Sequence, residues 1–270
     1  MSLINKVVII TGAASGIGEG IATHFAKLSA RLALIDIDVD KLRKVAEQCE
    51  NLSKAKVLGV PADVSKDGDV KRAISDIKHE YGKIDVVINC AGIAGYNRNI
   101  LDADLLSEFD KVISVNLRAM VAVTHYAAPA LIESKGCIVN IASVMARMSC
   151  KSAISYNISK AGVAHFTRNA ALDFADKGVR VNSISPGPVE TNLLINSGSN
   201  QVENAKTWET LAKTTPLQRN VHVMEIAAMA AYLASDQAKG ITGSDFIIDC
   251  GFILSGTVNA TFLRNDGHQK

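Results

Sequence analysis

The sequence predicts an α/β protein: a doubly wound, mostly parallel seven-stranded sheet with helices on both faces, in a single domain. Three observations predict it. Short β-branched runs alternate with longer amphipathic stretches along the chain. The apolar runs are continuous rather than alternating, as in strands buried on both faces. At 270 residues the chain can build one large α/β core without disulfides or metal.

Taken in order, strands are expected over residues 6–11, 31–37, 56–60, 84–89, 137–142, 179–185 and 246–248. Helical patterns fall between them, over residues 16–29, 40–52, 66–81, 105–133, 153–177 and 224–235. Crossovers of this length between parallel strands are right-handed, which gives a Rossmann-type arrangement. The one long irregular stretch, residues 186–201, is rich in Gly, Asn and Ser; long loops in compact domains are usually functional. The domain is expected to span residues 1–255. The tail, 256–270, has weak periodicity and reads as disordered or packed on a neighbouring subunit.

Composition excludes several classes. The net charge of +2 is too small to argue for nucleic acid or an anionic membrane, and no basic run occurs. Cys49, Cys90, Cys137, Cys150 and Cys250 are odd in number and without CxxC spacing. His24, His79, His125, His165 and His222 lie far from them in sequence, so no metal site is expected. The run Val7 to Ile10 is too short for a signal core or a membrane span, and a cytoplasmic protein is expected.

The first strand leads into Thr11-Gly12-Ala13-Ala14-Ser15-Gly16-Ile17-Gly18, and a helix pattern follows at once. Gly12 suits a tight turn, Gly16 admits a pyrophosphate close to the backbone, and Gly18 permits close helix–strand contact. The helix N-terminus, with its free N–H groups and dipole, favours the anion. The second strand ends in Asp36, placed to accept both adenosine ribose hydroxyls. A 2′-phosphate would meet its like charge, and neither flanking position, Ser15 or Ile37, offers a cation. NAD is therefore expected rather than NADP. Asp36 could equally be a solvated strand-end residue, and Asp38 or Asp40 a cap of the next helix.

Tyr156-Asn157-Ile158-Ser159-Lys160 puts a tyrosine and a lysine one helical turn apart on one face. Free tyrosine ionises near 10, so phenolate chemistry at neutral pH needs help. A neighbouring ammonium favours the phenolate. Lowering the pKa by about three units takes roughly 4 kcal/mol. Such a phenol could exchange a proton with a carbonyl or alcohol oxygen. Ser143 ends the fifth strand, at the carboxyl edge where ligands bind in this architecture; it could hold the substrate oxygen or merely cap a turn. Asn116 falls on the apolar stripe of Phe109, Val112, Ile113, Met120 and Val123. A buried amide needs partners, and it could hold a backbone group or a proton-relaying water chain.

Together these positions carry a resemblance. The chain resembles the single-domain branch of the short-chain dehydrogenase/reductase family from the Thr11–Gly18 loop through Asp63-Val64, Asn89-Cys90-Ala91-Gly92, Asn116, Ser143, Tyr156/Lys160 and Pro186-Gly187 to Thr191. The resemblance implies an Asn116–Ser143–Tyr156–Lys160 tetrad, with Tyr156 and Lys160 also contacting the cofactor and Lys160 on the nicotinamide ribose. It implies that Gly12, Ser15, Gly16, Ile17 and Gly18 cradle the phosphates and that Asp36 and Ile37 flank the ribose. It places Asp63 and Val64 at adenine, Asn89 and Gly92 along the cofactor, and Pro186, Val189 and Thr191 at the nicotinamide. It also implies a homotetramer or dimer. One departure is Cys90, where the family usually carries a second Asn.

The expected reaction is hydride transfer between NAD(H) and a secondary alcohol or ketone, or a lipophilic alcohol or aldehyde, with a small lipophilic substrate. The candidate walls, residues 93–96 and 144–148 and the 186–201 segment with Leu193, Leu194 and Trp208, are mainly apolar. Met145 and Met148 could instead fill core gaps. Three rivals share part of the pattern: an NADPH-linked 3-oxoacyl thioester reductase, a methyltransferase and a non-catalytic NAD-binding interaction protein. The first would carry a cation near Ser15 or Ile37, the second needs no Tyr156/Lys160 pair, and the third needs no complete tetrad.

Overall fold

A computed structural model describes residues 3–193 and 201–254. Seven strands form one sheet in the order β3-β2-β1-β4-β5-β6-β7. They are β1 (Val7–Thr11), β2 (Arg31–Asp36), β3 (Leu58–Pro61), β4 (Val86–Asn89), β5 (Cys137–Ile141), β6 (Arg180–Pro186) and β7 (Asp245–Ile248). Every pairing is parallel, so the sheet is wholly rather than mostly parallel. β1, β4 and β5 are buried along their whole length, which is why their sequences run apolar without alternation.

Helices cover both faces. On one lie α1 (Gly16–Lys27), α2 (Val39–Ser53) and α8 (Val223–Ala234), packed on Val8, Ile10, Leu32, Leu34, Ile88 and Val139. On the other lie α3 (Asp67–Tyr81), α5 (Ala119–Ser134) and α6 (Ile154–Phe174), packed on Val7, Ile9, Ala33, Val87, Ile138 and Val181. Successive strand residues therefore feed opposite cores, as a period of two requires. The helix ends follow local chemistry. Asp38 caps α2 by accepting from the Lys41 N–H, and Gly82 ends α3 with a φ of +74°.

Two expectations change. The helical pattern over 105–133 is not one α-helix: α4 (Leu105–Ile113) and α5 are joined by a π-helical segment, Ser114–Arg118. The apolar stripe runs through this join unbroken, so periodicity alone does not show the extra residue. A seventh helix in chain order, α7 (Gln201–Thr214), was not anticipated, because its sequence is polar with Trp208 as its buried anchor. Residues 252–254 make a short 3-10 turn, while the tail 256–270 and Leu194 lie outside the described residues. Among the described residues no helix is long and apolar enough to cross a membrane.

The sheet order reverses between β1 and β4, with β2 following β1 on one side and β5 following β4 on the other. The crevice beyond the carboxyl ends of these two strands is where such sheets bind ligands. The loops there are tied together: the Thr11 hydroxyl accepts from the Cys90 and Ala91 N–H groups at 3.0 and 3.1 Å.

Candidate active site

The glycine loop turns at Gly12, where φ is +66° and a Cβ would lie 2.7 Å from the Ala91 backbone. Gly18 sits against the same turn, and its Cβ would lie 2.0 Å from the Gly12 carbonyl oxygen. Gly16 also has positive φ (+58°), with Thr191 at 3.4 Å from its would-be Cβ. The loops after β1 and β6 therefore meet over the start of α1. Ser15 is the N-cap of α1 without a side-chain cap bond, and Ile17 is partly buried against the core beneath. The cradle has the bare backbone and the helix N-terminus that a pyrophosphate needs.

Asp36 is turned toward this loop. Its carboxylate accepts from the Ala14 N–H at 2.9 Å and from the Asp38 N–H at 3.0 Å. Ile37 beside it points into solvent, 67% exposed. Asp63 sits in the turn after β3, accepting from the Ser65 amide and hydroxyl. Burial opposes its ionisation, but these two bonds and the Lys66 ammonium outweigh that and hold the carboxyl below its usual range. Val64 packs partly buried on the core below it.

Asn89 ends β4. Its side chain is turned into the sheet, donating to Asn140 Oδ1 at 2.9 Å and Thr124 Oγ1 at 3.4 Å. Being buried on the strand face opposite α1, it can line the crevice only through its backbone. Its own Oδ1 is buried without a partner. Gly92 does reach the centre of the site: its would-be Cβ lies 3.4 Å from Asn116 Oδ1 and 3.6 Å from Lys160 Nζ. Pro186 and Val189 are buried, Pro186 ending β6 and Val189 bridged to Val221. The Thr191 hydroxyl accepts from the Leu193 N–H.

The four tetrad positions converge. Asn116 lies in the π-helical segment, fully buried, and its amide is wholly engaged. Oδ1 accepts from the Ile93 N–H at 2.8 Å, while Nδ2 donates to the Ile93 carbonyl at 2.8 Å and to Ser159 Oγ at 3.1 Å. Ser159 in turn donates to the Tyr156 carbonyl at 2.7 Å. Sequence reasoning missed Ser159 as the link between the asparagine and the tyrosine turn. The available signal was a mid-helix serine, which bonds back to a carbonyl three or four residues earlier.

Lys160 is 5% exposed, donates to the Ile141 carbonyl at 2.9 Å, and stands 5.7 Å from the centre of the Tyr156 ring. Burial pushes its ammonium down to about 8. Burial pushes Tyr156 above the ordinary tyrosine range, and the neighbouring Ser143 hydroxyl opposes that only in part. The physical reason is that both groups lose water together. Ser143 lies two residues past the end of β5 and caps the following 3-10 turn, accepting from the Met145 N–H at 3.1 Å. Cys90 is close enough to Lys160 for each to affect the other's ionisation, but burial pushes the thiol up to about 12 and leaves it uncharged.

The expected substrate walls, residues 93–96 and 144–148, follow β4 and β5 at the carboxyl edge of the sheet. Gly95 has φ +73° and lies against Val112 and the Glu108 carboxylate, which accepts from the Tyr96 N–H at 2.8 Å. The Tyr96 ring is 45% exposed, with Arg98 and Lys111 near its faces. Met145 and Met148 are partly exposed rather than core fillers. Trp208 is buried on α7, and its indole N–H has no partner among the described residues.

Comparison with known proteins agrees with this geometry. A family described as enoyl-(acyl carrier protein) reductase matches residues 12–253. The chain is 35% identical to the meso-2,3-butanediol dehydrogenase of Serratia marcescens, over 94% of this chain and 97% of that one. It is 33% identical to the cyclohexanol dehydrogenase of an Acinetobacter species, over 91% and 94%. Among solved structures, levodione reductase superposes with a TM-score of 0.87 at 31% identity, covering 95% of this chain and 100% of that one.

Proposed function

Because the chain belongs to the short-chain dehydrogenase/reductase family, and is therefore an oxidoreductase of the nicotinamide-linked kind, we propose that it moves a hydride between NAD(H) and a secondary alcohol or ketone, with Tyr156 as the proton-transferring group. The observation that carries the reading is the convergence of Tyr156, Lys160 and Ser143 at the carboxyl edge of the sheet, beside the glycine cradle and Asp36.

NAD, when bound, supplies the hydride acceptor. The chain's own residues do the rest. The N–H groups at the start of α1 hold the pyrophosphate, and Asp36 accepts from the adenosine ribose hydroxyls. Ser143 donates to the substrate oxygen and turns it toward Tyr156. Tyr156 then takes the alcohol proton during oxidation or gives one to the carbonyl during reduction. With its pKa raised, the phenol holds its proton at neutral pH and is ready as a donor. Oxidation needs it deprotonated and should therefore speed up as pH rises, while reduction slows. Lys160, whose ammonium lies 3.6 Å from the position a Cβ on Gly92 would take, would bind the nicotinamide ribose.

A small lipophilic substrate suits the largely apolar walls, and the two alcohol dehydrogenases among the relatives support the secondary-alcohol class. Val121 and Ile132 on α5, with Ile158 and Leu172 on α6, are exposed apolar residues that a second copy of the chain would cover. Selection of NAD is tested at Asp36. We expect kcat/KM with NAD to exceed that with NADP by at least about a hundredfold, since close like charges across a binding surface cost several kcal/mol. Asp36→Asn should narrow the ratio about tenfold, mostly through a higher KM for NAD. Equal use of both cofactors by the unaltered chain would refute NAD selection.

A further inference from the structure

The turn that carries Ser143 is anchored from a distance. Residues 144–146 form one 3-10 turn, and Arg147 closes it with its N–H on the Val144 carbonyl at 2.9 Å. The Arg147 guanidinium then reaches past β6 to Asp245, the first residue of β7 and the register partner of Ser183, at 2.9 Å. Asp245 is no ordinary surface acid: its side chain is 7% exposed. It accepts from the buried Ser183 hydroxyl at 2.7 Å and from the buried Ser185 hydroxyl at 2.8 Å. Ser183 and Ser185 lie two apart on β6, on the face that α6 covers.

Exposed ion pairs hold little, because both partners are free to move and well solvated. Here one partner is fixed. The carboxylate is held by two hydroxyls inside the sheet, and among the described residues the guanidinium is its one cation. We propose that Arg147 is a positioning residue: its pairing with Asp245 fixes the 143–147 turn and thereby the Ser143 hydroxyl relative to Tyr156. The proposal rests on the reading of Ser143 and Tyr156 as the reacting pair. A purely structural pair would fasten β7 to the sheet. A positioning pair must also affect the chemical step, where small misplacements are costly.

The test uses the full chain, NAD, and whichever of cyclohexanol or butane-2,3-diol the unaltered protein oxidises. Arg147→Gln is expected to lower kcat about tenfold while KM for NAD and the affinity for NADH stay within about twofold. The deuterium isotope effect on kcat should rise, because hydride transfer becomes the slow step. Arg147→Lys should restore most of the rate, and Arg147→Gln combined with Asp245→Asn should be no slower than the worse single variant. An Arg147→Gln protein with unchanged kcat and isotope effect overturns the proposal, whatever its melting temperature. So does one in which NADH affinity falls in step with kcat. Tyr156→Phe is run alongside. If it keeps full activity, the reading of the site fails; if it is inactive while Arg147→Gln is normal, only the positioning role fails.

Discussion

Replacing Tyr156 with Phe is expected to cut turnover at least about a hundredfold, the scale of a lost general acid or base, while NADH still binds. The substitution removes one oxygen and keeps the ring, so the packing of α6 is retained. Among the described residues, the groups nearest the phenol are poor replacements for it. Lys160 spends its ammonium on the Ile141 carbonyl, Ser143 already accepts from Met145, and the Cys90 thiol is held neutral. The pH dependence should differ as well. In the unaltered protein, kcat/KM for alcohol oxidation should climb through the alkaline range as the phenol loses its proton. Above about 8, loss of the Lys160 ammonium should limit the gain. In the Phe variant the climb should vanish. Near-full activity, measured as the rise in reduced-nicotinamide absorbance, would show that the proton moves through another group.

Gly18→Ala is expected to be of similar size for a different reason. An added Cβ would lie 2.0 Å from the Gly12 carbonyl oxygen and 2.8 Å from its carbon. Both atoms are backbone, in a turn that is itself pressed against Ala91, so no side chain can swing aside. The start of α1 must move away from β1, and the cradle opens. NADH affinity should fall about a hundredfold, close to 3 kcal/mol, within the range of steric overpacking. Gly68→Ala is the control, because a Cβ there meets nothing within 4 Å. Titration by NADH fluorescence, with thermal melting of both variants, separates lost binding from lost folding. Unaltered NADH affinity in Gly18→Ala would contradict the assigned cradle.

Much of this was legible in the sequence, for identifiable reasons. Strands buried on both faces must be apolar throughout, so Val7 to Ile10 and Val86 to Ile88 announce themselves. The glycine spacing is readable because Gly12 and Gly18 have no steric alternative. Tyr156 and Lys160 share a helix, and local periodicity places them together.

What the sequence hid depends on distance or on environment. The π-helical step at Ser114–Arg118 leaves the apolar stripe intact, so nothing in the pattern signals it. The Asn89 amide bonds Asn140 and Thr124, partners far along the chain that no local pattern names. Arg147 and Asp245 are 98 positions apart and meet only because β6 brings β5 and β7 together. Burial raises the pKa of Tyr156 in the chain itself, and desolvation, unlike charge spacing, is not visible in a sequence.

The most direct test of the central claim follows the hydride itself. The full chain is incubated with NAD and a panel of secondary alcohols bearing deuterium on the carbinol carbon, and the reduced cofactor is weighed by mass spectrometry. The account predicts NADH carrying one deuterium, formed by the unaltered protein and not by Tyr156→Phe. Reduced cofactor without label, or none from any alcohol in the panel, would contradict it.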